Sequence, residues 1–195
     1  MWAINDAIWE IDGLEPWPYL LKSVNLNFDG TNPYPSNLPT NMARVKWVTN
    51  LNSGEAIWPE RIETIRLRIG KDIARTGEPG VFYFMGQQLR FWPTPPAATG
   101  SILLDYRAWQ PALTSASLEA DILMPYRYHT IWVLKALVKL YNADDDPELA
   151  AVKQAEADEK FQKMRMDLSV QQEMRADRIY TLDPDEISND SFWIP

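Results

Sequence analysis

Apolar residues recur at helical spacing in three clear stretches of this chain. In the first, Ile4, Ala7, Ile8 and Ile11 share one face, with Asn5 and Asp6 near the start. This predicts a helix over about residues 5–11, which Gly13 and Pro16 end. In the second, Ile131, Trp132, Val133, Leu134, Leu137, Val138 and Leu140 follow Pro125. That helix, expected to run from Pro125 to about Asn142, is apolar nearly all round, so it should be buried on more than one side. In the third, Ala150, Ala157, Phe161, Met164 and Leu168 form one line among mostly charged neighbours. It predicts an amphipathic helix to about Arg175, packed on one side. Asp144, Asp145 and Asp146 before Pro147 supply an acidic N-cap with proline at the first helical position. The last two helices therefore form a hairpin over about residues 125–175.

Between the first and second helical stretches the period changes. Val24, Leu26 and Phe28 alternate with Asn25 and Asn27, then Asp29-Gly30 turns the chain. Pro33, Pro35 and Pro39 mark residues 30–40 as a loop. Val45, Trp47 and Val48 predict a strand, and Asn52-Ser53-Gly54 a turn. Residues 60–73 fit two patterns: Ile62, Ile65, Ile69 and Ile73 share a helical face, while Ile65, Leu67 and Ile69 alternate. Pro59 ahead of them favours a short helix. Val81–Phe84 and Gln88–Trp92 around Met85-Gly86-Gln87 read as a hairpin, and Ser101–Arg107 as a third strand. The fold class expected is mainly α with a β-hairpin or small-sheet insertion, an α+β chain. The insertion spans about residues 24–107, residues 1–176 make one domain, and 177–195 an extended acidic C-terminal arm.

Composition sharpens this. The chain has 195 residues, 46% hydrophobic and 24% charged, which suits a globular protein with a substantial core. No run of about 18 apolar residues predicts a membrane span, and no basic segment followed by an apolar stretch predicts a signal peptide. There is no cysteine and one histidine, His129, which removes thiolate chemistry and multi-histidine metal sites. The net charge of −8 argues against tight binding to phosphate backbones. Nine Trp, eight Tyr and six Phe exceed what one small core needs. Three readings follow: rings set into protein interfaces, a Trp-rich core with partly exposed rings, or stacking on sugars.

Half of the net charge sits in the last nineteen residues. Asp177, Asp183, Asp185, Glu186 and Asp190 stand against Arg178, and Phe192-Trp193-Ile194-Pro195 follow. An acidic segment carrying an apolar cluster reads as an arm that docks on a partner, with Phe192, Trp193 and Ile194 as anchors. The other readings are an unstructured tail, or one folded back on its own domain. Arg61, Arg66, Arg68, Lys71 and Arg75 form the one local basic cluster. It is either a solvated flank or a contact for a partner's acidic surface, including the acidic tail of a neighbouring copy.

Catalytic constellations are thin. His129 has Tyr126 and Tyr128 nearby but no serine or carboxylate partner at useful spacing, so it reads as structural. The acids 144–146 lack the glycine and bidentate glutamate of a calcium loop. Gly77-Glu78-Pro79-Gly80 is not followed by a phosphate-loop lysine. No enzyme activity and no cofactor or metal is expected.

The ordered motifs resemble a known family. Leu38-Pro39 precedes Arg44-Val45. Gly77, Pro79, Phe82 with Tyr83 beside it, Gly86, Leu89, Phe91, Pro93 and Pro95 follow. Then come Leu104 and Tyr106, Pro111, Leu113, and Met124-Pro125 with Tyr128-His129 opening a helix that holds Ala136-Leu137. The order resembles the head-to-tail adaptor, or connector, proteins of tailed bacteriophages. It covers roughly residues 38–168, best over 77–140; the first forty residues and Phe192–Pro195 lie outside it.

That resemblance implies a non-catalytic virion protein of the phage neck, assembled in the host cytoplasm. It implies a homo-oligomeric ring of about twelve copies beneath the portal protein. Such a ring extends the DNA channel without specific DNA binding, contacts no membrane, and offers a docking platform to the tail or next neck protein. The hairpin tip, Met85 and Gln87, either projects toward the next ring or packs on its own helices. Arg66 and Arg68 are candidate contacts to a partner. The rival from another class is a Trp-rich carbohydrate-binding module, which requires a coplanar row of exposed indoles.

Overall fold

The computed structural model describes residues 1–69, 75–117 and 121–179. The chain divides into two compact units. Met1–Tyr19 joins the described part of Ala112–Pro195 in one, and Leu20–Pro111 forms the other.

The first unit is helical. Helix α1 (Trp2–Leu14) buries Ala3, Ala7, Ile8 and Ile11, the stripe the apolar spacing predicts, though the helix starts earlier and ends later than expected. Ala3 and Ala7 meet Ala136 of helix α3 (His129–Ala143), with Ile4 packed alongside. Small side chains on both surfaces let the two helices approach closely. Helix α3 does not start at Pro125. That residue is extended (ψ 137°), and a 3-10 turn over Tyr126–Tyr128 comes first. Ile131, Trp132, Leu134 and Ala136 are buried, while Val133 and Leu140 stay about half exposed, so the all-round burial expected is only partial.

The link to helix α4 (Pro147–Ile179) uses each acid differently. Asp145 takes a left-handed conformation (φ 56°), which Asp tolerates better than most residues. The Asp146 carboxylate accepts the Leu149 N–H at 3.1 Å, capping α4, and Pro147 fills the first helical position, where no N–H is needed. Ala150, Ala157, Met164 and Leu168 are buried along one side of α4. Phe161 meets the buried Trp17 edge-on, centroids 5.7 Å apart. The Trp17 indole donates to the Ile11 carbonyl at 2.7 Å, using one of the free carbonyls of the last turn of α1. Two lysines link all three helices: Lys135 lies 3.6 Å from Glu10 of α1 and 3.5 Å from Asp158 of α4, and Lys139 pairs with Asp6 and Glu10.

The second unit holds six strands among the described residues. Strands β1 (Leu21–Phe28) and β2 (Met42–Asn50) flank β6 (Ala98–Ala108) in an antiparallel sheet ordered β1-β6-β2. Strand β3 (Trp58–Pro59) runs parallel to β4 (Val81–Met85), which pairs with β5 (Gln88–Trp92) in a second sheet. Helix α2 (Ile62–Ile69) lies between β3 and β4 in sequence, the short helix that Pro59 favours. Gly86 turns the β4–β5 hairpin with φ 63°, a region that favours glycine. At Gly30 (φ 80°) a Cβ would lie 2.7 Å from the Ala97 nitrogen, so the turn after β1 also requires glycine. The architecture is mixed α+β, with two three-stranded sheets where a small insertion was expected. The strand after Thr94-Pro95-Pro96 does not extend the hairpin; it is the centre of the other sheet.

The two sheets meet through phenylalanines. Phe28 of β1 packs edge-on against Phe91 of β5 at 5.2 Å, and Phe91 lies 6.3 Å from Phe82 of β4. Phe91 is 0% exposed. Phe91→Ala is expected to cost about 3–5 kcal/mol, whereas Phe84→Ala, at a half-exposed ring, should cost under about 1 kcal/mol; urea unfolding followed by circular dichroism checks both. In the helical unit, the hydrogen bond to Asp6 holds the Lys139 ammonium above the usual lysine value of 10.5, against the opposing pull of burial. This stabilisation is fully present below that value and is lost as pH rises through the raised folded value. Thermal melts should be flat from neutrality to mild alkalinity and fall above it, with the fall reduced in Lys139→Met.

Candidate functional site

The second unit carries an open apolar cleft along one sheet edge. Sheet edges are normally blocked against unwanted pairing. On β1 the Asn37 amide does this: its oxygen accepts the Asn27 N–H and its nitrogen donates to the Asn25 carbonyl, both at 2.8 Å. The Ser36 N–H adds a bond to the Asn27 carbonyl. On β5 the Phe91 N–H reaches the Pro33 carbonyl at 2.7 Å. On β2 the turn after Asn50 covers only the far end, through Ile57 N–H to Val48 and Asn50 N–H to Glu55. From Met42 to Trp47 no strand or loop continues that edge among the described residues.

This open edge lines two adjoining cavities. One, about 470 Å³, takes the consecutive residues Ala43–Val48 on one side and Trp58, Pro59, Phe82 and Phe84 on the other. The second, about 630 Å³, shares Ala43, Arg44, Val45 and Phe84 and continues to Leu38, Pro39 and the hairpin turn at Gly86 and Gln87. Two tryptophans stand over it. Trp47 follows a register shift between Val45 and Trp47 in the β2–β6 ladder, which changes the facing of the strand there. Trp58 is held by a main-chain bond to Gly80 and the parallel pairing of β3 with β4. Pro59 has no N–H to lend, so β3 stays short. The indoles meet edge-on, 5.4 Å between centroids and 75° between planes. Crossed rings do not make the coplanar platform that the carbohydrate-binding reading requires. Phe84 packs edge-on against Phe82, which joins the cleft wall to the buried Phe91.

Arg44 and Lys46 line the cleft, and among the described residues no acidic side chain does. In a chain with 27 acids and a net charge of −8, this is a local reversal of sign.

Of the residues singled out from sequence, Gln87 lines the cleft, and Met85 closes β4 as an exposed side chain beside it. Arg66 is exposed on α2, and Arg68 lies on the same helix. Phe192, Trp193, Ile194, Lys71 and Ile73 lie outside the described residues. His129 is absorbed by local structure: its Nε2 lies 2.8 Å from the Met124 carbonyl and its ring stacks on Trp132 at 5.1 Å. Gly77 and Gly80 spend their N–H groups on Thr94 and Trp92. Among the described residues no cluster of His, Asp and Glu could hold a metal ion, and no helix is long and apolar enough to cross a membrane. The cleft itself escaped the sequence reading. Its one legible trace is Arg44 and Lys46 alternating with Val45 and Trp47, since charge on a strand marks edges.

The surplus of indoles is partly on the surface. Trp2, Trp9, Trp47, Trp58 and Trp109 are each between 43% and 61% exposed, while Trp17 and Trp132 are buried. Both units contribute to the exposed set.

The family model described as SU10 adaptor protein matches residues 3–184. The chain belongs to the SU10 adaptor protein family. It is a bacteriophage adaptor, a structural protein of the virion, in agreement with the resemblance read from residues 38–168. The match extends beyond that resemblance at both ends and stops short of Phe192. No curated protein matches the chain.

The cleft of this adaptor makes a direct stability prediction. A double-mutant cycle of Trp47→Ala and Trp58→Ala in thermal melts should give a coupling of about 0.5–1 kcal/mol. Each single variant should remain folded, because both rings are half exposed.

Proposed function

We propose that this adaptor assembles into a ring of about twelve copies beneath the portal protein. The ring extends the DNA channel and presents a docking platform to the tail or next neck protein. The observation that carries this reading is the set of five exposed tryptophans spread over both units. A ring subunit needs two unlike side faces plus an upper and a lower face, and indoles are favoured anchors at such contacts. The acidic charge suits a channel wall past which DNA slides, since fixed negative groups do not grip phosphates. The exposed hairpin tip, Met85 and Gln87, is a contact to the next ring, and Arg66 and Arg68 on α2 are contacts to an acidic neighbour. The helical hairpin of α3 and α4 serves as scaffold, and the residues after Ile179 form the arm; α4 runs past the expected end near Arg175 and takes the first three positions of the arm expected from residue 177.

The test uses the purified full chain and portal-bearing heads. Size-exclusion with light scattering should show a monomer for the chain alone, and electron microscopy should show a ring on the portal after mixing. A stable isolated dimer, or no attachment to portal-bearing heads, overturns the reading.

A further inference from the structure

We propose that the open edge of β2 is a receptor for the C-terminal segment of a second copy, which adds to the sheet as an extended strand. The inference does not need the ring: docking between free chains too weak to hold a stable dimer is enough for oxidation to trap, and a ring, where copies sit close together, strengthens it.

Three observations choose this occupant. The first is the edge. Residues 42–47 offer main-chain groups with no partner on the outer side among the described residues, while Asn37 and Ser36 cover β1 at Asn25 and Asn27 and Pro33 covers β5 at Phe91. An extended segment pairing there would satisfy those groups, as in strand addition. The second is charge. Among the described residues the cleft is lined by Arg44 and Lys46 and by no acid, while residues 180–195, after α4, hold four acids and no lysine or arginine. Opposite charge selects this segment over most of an acidic chain's remaining surface only if the segment also matches in shape and polarity. That is the third observation. From Asp185 to Ile194 the sequence has no proline, so every residue has an N–H to give to a neighbouring strand. Fully extended, it spans about 33 Å, more than the roughly 20 Å of the open edge. Asp185, Glu186 and Asp190 come first, and Phe192, Trp193 and Ile194 last. The acids can face Arg44 and Lys46 while the rings reach the apolar wall of Trp47, Trp58 and Phe84.

The absence of cysteine makes the test clean. One batch of full chain carries Ala43→Cys, an exposed position that borders both cavities; a second carries Ser191→Cys in the segment. Mixed and mildly oxidised, they should give a disulfide-linked dimer containing one chain of each kind. Arg44→Glu with Lys46→Glu should cut its yield several-fold, and adding Asp185→Lys with Asp190→Lys in the other chain should restore it. A control pairing Ser191→Cys with Ala151→Cys, an exposed position on α4, should give little product. The inference is overturned by no product in the mixture, by product formed equally with the Ala151→Cys control, or by a link formed only when both cysteines sit in one chain, which would assign the cleft to the chain's own segment. None of these readouts involves portal-bearing heads, so failure here and failure of the ring reading are separately visible.

Discussion

The contact of Phe91 with Phe28 and Phe82 governs the β unit. Each three-stranded sheet needs a hydrophobic face covered from water. Phe91 is the ring through which each sheet covers the other, and it is fully buried. The outer wall depends on it in turn. Phe82 touches both Phe91 and the half-exposed Phe84, so the cleft lip is braced by the same stack that closes the core. An apolar surface held this way keeps its shape without a partner, which lowers the ordering cost of binding one.

Around that stack the chain treats its sheet edges unequally. Asn37 imitates a neighbouring strand along β1, and Pro33 does so at one point on β5. On β2 the cover stops at Val48. An uncovered edge risks indiscriminate pairing, and Arg44 and Lys46 limit that risk by repelling cationic edges and solvating the strand. The same two charges give the edge a preference for acidic chains. In the helical unit, Lys135 and Lys139 hold acids of α1 and α4 within one network.

What could be read from the residues follows from how local each signal is. Helices α1, α3 and α4 announce themselves because their stripes, caps and prolines lie within a few residues of one another. The hairpin at Gly86 is equally local. Residues 62–69 were ambiguous because Ile65 fits both periods, and Ile65 is the residue buried there. Strand β3 has two residues, one of them proline, and no periodicity can reveal it. The pairing of β6 with β1 and β2 joins segments as far apart as Leu21 and Arg107, so it was not legible from alternation. The cleft was invisible for the same reason: residues 38–48, Trp58 and Phe84 come together only after both sheets have formed. Gln87 and Met85 were found because turns advertise themselves; Trp58 was counted among many tryptophans but not placed.

Helix α4 has a mechanical consequence. Its 33 residues make a rod of about 50 Å. Exposed pairs such as Glu159 with Lys163 and Gln154 with Asp158 support its winding from within. The last described buried side chain on it is Leu168, and the helical backbone continues to Ile179, about 16 Å farther. The rod therefore works as a spacer: it carries the backbone at Ile179 a fixed distance beyond the last described side chain that its own bundle buries.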